Sequence, residues 1–133
     1  MKLTLILAAL IAASVQVQAS SHSDIVHAVA MEASGEPYAA KVGICAVIRT
    51  RGNSLKGIYG SKATRHESAA VYASVEKAWS ESATNDPTHG CDLFGGVIDD
   101  KYFQGKLNLQ PAVTIGHTRF YHSGHIRRTK DYR

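Results

Sequence analysis

Glu32 and Glu36 stand four residues apart in Met31-Glu-Ala-Ser-Gly-Glu-Pro-Tyr38, separated by the glycine that ends the helix before it. Counting from Ile25 at helical spacing, Ala28, Val29 and Glu32 share one stripe, so Glu32 lies on the apolar side. A carboxyl pressed against apolar packing has its charged form disfavoured, which suits a general acid near neutral pH. Glu36 immediately precedes Pro37 and is placed to accept hydrogen bonds from the free N–H groups opening the next helix, which keeps it ionised. Two carboxylates in unlike surroundings can divide the work of acid and base. The plainer alternative for Glu32 is a solvated side chain at a frayed helix end.

Other chemistries fit the sequence less well. His66-Glu67-Ser-Ala-Ala70 opens like a zinc-protease helix but has Ala70 where the second histidine must sit. There is no Gly-x-Ser-x-Gly elbow and no phosphate-binding loop. His117, His122 and His125, with His89 upstream, match no tight metal spacing, so neither a metal nor a cofactor is expected. A cysteine amidase needs an exposed thiol near a histidine. Cys91 beside His89 offers only sequence proximity, and Cys45 sits within Val-Gly-Ile-Cys-Ala-Val-Ile, which reads as core. In an exported chain a Cys45–Cys91 disulfide is the expectation, two separate buried thiols the alternative.

The elements that must position these groups are legible from capping and periodicity. Ser21 with Asp24 caps a first helix running to Ala33, and Pro37 opens a second from Tyr38 to Arg51 that is apolar nearly all round, as a central helix is. Residues 52–63 read as glycine-punctuated loop. Thr64 and Glu67 suggest a capping box for a third helix to Ser82, with Val71, Tyr72, Val75, Ala78 and Trp79 on one stripe. Asn85 to Gly90 is turn chemistry, and alternation from Val113 to Phe120 reads as one strand. Helices followed by a small strand part give an α+β class.

The chain has 133 residues and a net charge of +4. Lys2, the apolar run from Leu3 to Val15 and the small-residue end Val17-Gln-Ala19 read as a cleavable export signal, since a membrane span needs about 20 apolar residues. Removing these 19 leaves 114 residues, enough for one domain, with a charge of +3. The expectation is an exported monomer, periplasmic or extracellular, with no stable membrane anchor after cleavage. Its mild basic surplus suits an anionic wall polymer rather than nucleic acid. The basic tail 126–133 could touch such a polymer or simply fray.

Ala30-Met-Glu32-Ala-Ser-Gly-Glu36-Pro-Tyr38, followed by Val42-Gly-Ile-Cys-Ala-Val-Ile-Arg49, resembles the signature of the SleB-like cell wall hydrolases. Asp86-Pro-Thr-His-Gly90 is similar to that family's second block, and Thr114-Ile-Gly-His117 with Phe120-Tyr121 to its closing strand. The resemblance implies a small lysozyme-like fold acting on peptidoglycan glycan strands. It places the catalytic glutamate at Glu32, protonating the bond between N-acetylmuramic acid and N-acetylglucosamine. With no obvious second acid other than Glu36, the expectation is a lytic transglycosylase, which needs no second nucleophilic carboxylate, rather than a hydrolase. The resemblance suggests Glu36, Tyr38, Thr88, Phe94 and Tyr121 as glycan-binding residues. Ser34 departs from the family's arginine, Cys91-Asp-Leu-Phe94-Gly-Gly replaces an aromatic-Asn-Pro motif, and the insert from Asp99 to Gln110 is longer than usual. The rivals are a non-catalytic wall-binding or inhibitor-like module and a cysteine amidase.

Overall fold

The computed structural model describes residues 19–125. The apolar segment through residue 18, expected to be an export signal, and the basic tail from residue 126 lie outside the described residues. Among the described residues no helix is long and apolar enough to cross a membrane.

Helix α1 spans His22–Ala33, and the Ser21 hydroxyl accepts the Asp24 N–H at 3.3 Å, satisfying one orphan donor of the first turn. Its buried face carries Ile25, Ala28 and Val29. Helix α2, Tyr38–Thr50, follows Pro37 directly, and every residue from Ala40 to Ile48 is buried. It is therefore the central helix that its all-round apolarity implies.

Helix α3 begins later than the capping pair Thr64/Glu67 suggests. It spans Ala69–Ser82, and Ser68 is the cap, accepting the Val71 N–H at 3.3 Å. Upstream, the Ala63 carbonyl is held by His27 at 2.7 Å, which keeps that stretch extended and moves helix initiation to the next good capping residue. Arg49, near the end of α2, fastens the two helices together. Its guanidinium lies 3.9 Å from the Trp79 ring centre and donates to the Trp79 carbonyl at 2.8 Å and the Ser82 hydroxyl at 2.9 Å.

The second half of the described chain forms a three-stranded antiparallel sheet in the order β1-β3-β2: β1 Leu93–Gly95, β2 Val113–Ile115 and β3 Thr118–Tyr121. The single strand read from Val113 to Phe120 is thus a hairpin. Gly116, at φ +60, and His117 turn the chain, while alternation persists on both sides and masks the reversal. Phe120 pairs with Phe94 on one side and Val113 on the other, and its buried ring lies where Gly43 of α2 has no side chain. Between β1 and β2, a 3-10 turn at Val97–Asp99 leads into a π-helical turn at Lys101–Lys106. There the Leu107 N–H reaches the Tyr102 carbonyl, five residues back, at 2.9 Å. Leu107, Leu109 and Tyr121 form a small second core beneath this insert. The class is α+β.

Candidate active site

Glu32 leaves the last turn of α1 half-buried, and its Oε1 accepts the Gly60 N–H at 2.7 Å. Gly60 belongs to a 3-10 turn, Tyr59–Lys62, pressed against α1. A side chain at Gly60 has no room: a Cβ would stand 2.7 Å from the Ala28 carbonyl oxygen and 2.9 Å from Glu32 Cγ. The backbone amide therefore approaches the carboxyl as only glycine permits.

Glu32 lines a groove of about 660 Å³. One lip comes from the segment after α2, with Arg51 and Tyr59; the other comes from the sheet and insert, with Phe94, Asp99 and Tyr102. Tyr59 is 82% exposed and Tyr102 47% exposed, so both lips present aromatic surface to solvent. Asp99 is held by its own backbone: Oδ2 accepts the Gly96 N–H at 2.9 Å. It is the second carboxylate that sequence reasoning did not find. The signal available was weak, an aspartate in an insert with no partner nearby in sequence. Gly60 was equally hidden, since its role depends on a contact with a helix 28 residues earlier.

The other residues expected at the site divide. Phe94 lines the groove. Glu36 does not, and it does not serve the N-terminus of α2, whose cap Pro37 has no side-chain bond. Its carboxylate faces the hairpin instead, Oε2 accepting the His117 N–H at 3.0 Å. Tyr38 sits on the α2–α3 seam, with Lys77 Nζ 5.4 Å from its ring centre, its hydroxyl sealed from solvent. Burial, followed by the charge of Glu81, pushes its phenol up. Thr88 is fully buried: its hydroxyl donates to Asp86 Oδ1 at 2.7 Å and accepts the Cys91 N–H at 3.2 Å. Tyr121 is fully buried too, stacked 4.8 Å from Phe103. Its hydroxyl accepts from Gln104 at 3.2 Å. Thr88 and Tyr121 are therefore sealed inside the fold, and Tyr38, partly exposed, does not line the groove.

The expected Cys45–Cys91 disulfide is absent: both cysteines are free, buried thiols. Cys45 faces the core from α2, and burial pushes its thiol up to about 12. The Cys91 thiol is occupied elsewhere, donating to the Thr88 carbonyl at 3.2 Å with His122 Nε2 at 3.7 Å. Its pKa is also raised, chiefly by burial. A fully buried thiol kept protonated is a poor nucleophile, which removes the support for a cysteine amidase. No group of three or more metal-binding side chains occurs among the described residues.

No protein-family model matches the chain, and no curated protein matches it. Solved structures do match. The catalytic domain of the Bacillus cereus SleB protein aligns over 80% of this chain and 94% of its own, with a TM-score of 0.52 and 23% identity. The catalytic domain of the germination-specific lytic transglycosylase SleB from Bacillus anthracis aligns over 77% of this chain and 96% of its own. Its TM-score is 0.52 and its identity 22%. At such identities the likeness speaks for architecture alone, and the fold of this chain is that of a SleB-like catalytic domain.

Proposed function

We propose that the protein is an exported enzyme that cleaves peptidoglycan glycan strands, with Glu32 as its acid and base. The observation that carries this reading is Glu32's place: at the edge of an open groove between aromatic lips, one carboxyl oxygen held by a backbone amide. The matched domains support it, one of them being a lytic transglycosylase by name.

With Oε1 engaged by Gly60, Oε2 is the oxygen from which a proton passes to the glycosidic oxygen. The bond from that oxygen to muramic C1 breaks, leaving positive charge on the sugar and a glutamate carboxylate beside it. That carboxylate takes the proton from the 6-hydroxyl of the same muramic residue, whose oxygen attacks C1 to close a 1,6-anhydro ring. Tyr59, Phe94 and Tyr102 line the groove where the sugars on either side would lie. The agent works as a monomer, needs no cofactor and does not bind nucleic acid.

Asp99 favours a second reading of the last step. As a groove carboxylate it could take a proton from water instead, giving hydrolysis and a reducing end. Mass spectrometry of products from purified sacculi separates the two and tests the whole. Anhydro-muropeptides are expected. Wall binding with no release would establish the non-catalytic module, and cut peptides would establish an amidase.

A further inference from the structure

We infer that His27 is a positioning residue for Glu32, acting through the strap of residues 59–65; this rests on the reading of Glu32 as the acid. His27 lies one and a half turns before Glu32 on α1. Its Nε2 is 2.7 Å from the Ala63 carbonyl oxygen. A carbonyl can only accept, so Nε2 carries a hydrogen and donates it. Nδ1, 2.9 Å from the Tyr72 hydroxyl, is then the acceptor in the neutral ring. A protonated ring would donate from both nitrogens, with the Tyr72 hydroxyl turned toward His66 Nδ1 at 3.3 Å. The bond to Ala63 survives in either form.

From Ala63 the connection runs back to the carboxyl. The Ala63 N–H donates to the Gly60 carbonyl at 3.2 Å, closing the 3-10 turn, and the Gly60 N–H donates to Glu32 Oε1 at 2.7 Å. Two side chains of one helix, His27 and Glu32, thus grip opposite ends of the same four-residue turn. A weaker tie follows, Arg65 Nη2 to the Met31 carbonyl at 3.4 Å. The strap is short, half-exposed and poor in buried side chains, Gly60 being the one buried residue of its turn. Hydrogen bonds at its two ends, together with the close approach of Gly60 to Ala28, set its height above α1. Releasing Ala63 lets the turn rise, and the amide that decides which Glu32 oxygen faces the groove moves with it.

The test compares His27→Phe, which fills the ring's space without donating, with His27→Gln, whose amide nitrogen can reach the Ala63 carbonyl. Each variant is first shown to be folded by circular dichroism. The direct readout is the Gly60 amide resonance in 15N-labelled protein, with Glu32→Gln as reference. We expect His27→Phe to shift this resonance and abolish its response to Glu32 protonation, and His27→Gln to preserve both. On soluble glycan strands, His27→Phe lowers kcat roughly tenfold with KM unchanged, the scale of a small misplacement of a reacting group, and His27→Gln restores it. An unmoved Gly60 resonance in His27→Phe overturns the inference. Equal loss in both variants overturns it too, because the ring then matters only as packing. If the unmodified protein releases nothing from glycan, the reading of Glu32 falls, while the Gly60 resonance still decides whether His27 sets the strap.

Discussion

Glu36 Oε2 accepts the His117 N–H at 3.0 Å, joining the α1–α2 corner to the β2–β3 turn across 81 residues of chain. The fit is close: a Cβ on Gly116 would collide with that oxygen and with the Pro37 ring. Two glutamates four residues apart therefore sit in different surroundings. Glu32 faces the groove, whereas Glu36, its side chain 14% exposed, ties helix to sheet.

Glu36→Ala and Glu32→Gln should consequently have opposite signatures. Removing a half-buried charged acceptor costs up to about 1.5–3 kcal/mol, so Glu36→Ala should unfold at lower urea while its folded fraction still releases muropeptides. Glu32→Gln keeps the melting transition and loses release. Loss of cleavage in a well-folded Glu36→Ala protein would return Glu36 to the chemistry.

Acid should loosen the turn after α3 through Asp86. Burial pushes this carboxyl up, but the Thr88 hydroxyl and N–H, the Gly90 N–H and the charge of His89 more than offset it, and its pKa lies below the ordinary value. A depressed carboxylate stabilises the fold fully above its unfolded pKa, about 3.9 for aspartate. That contribution fades as pH falls through the lower folded value. Asp86→Asn should therefore melt well below the unmodified protein at pH 6, with the gap closing below about pH 4. A gap that stays constant down to pH 2 would mean that the turn does not depend on this charge.

The helices were legible because their signals are local. Ser21, Pro37 and the apolar run of α2 fix boundaries and burial whatever the rest of the chain does. The site was legible only in part. Glu32 announces itself by lying on an apolar stripe, but Gly60 and Asp99 matter through contacts that no periodicity records. Tyr38, Thr88 and Tyr121 lie away from the groove lining, and sequence could not say so because a polar tip on a large or buried side chain looks the same whether it meets a ligand or a neighbour. For each the neighbour is internal: the α3 seam, Asp86 and Gln104. The hairpin was hidden because alternation continues through a two-residue turn.

Neither thiol should react in the native protein. Cys45, raised to about 12, and Cys91, raised chiefly by burial, are both fully buried and protonated at pH 8. A chromogenic disulfide reagent should report no thiol in buffer and two in guanidinium, and dithiothreitol should leave the melting temperature unchanged. A drop in melting temperature on reduction, or an intact mass two hydrogens short, would show that the cysteines pair after all.

On the proposed reading, Asp99 lies in the groove where the positive charge at C1 would have to be met. Its Oδ2 is fixed by Gly96, so the carboxylate is preorganised at the groove wall rather than free to swing in from solvent. A fixed negative charge in a partly desolvated groove stabilises a developing cation without forming a bond to it, and losing such a group costs on the order of a hundredfold to a thousandfold in rate. Asp99→Asn keeps the shape and one acceptor oxygen while removing the charge, so folding and glycan affinity should hold while kcat falls within that range. The products carry the sharper information. If the 6-hydroxyl of muramic acid is the nucleophile, the anhydro end persists in the slowed variant, because Glu32 alone handles the proton. If reducing ends dominate in the unmodified enzyme and vanish in Asp99→Asn, the aspartate is the base for water, and hydrolysis replaces transglycosylation as the reaction of this groove.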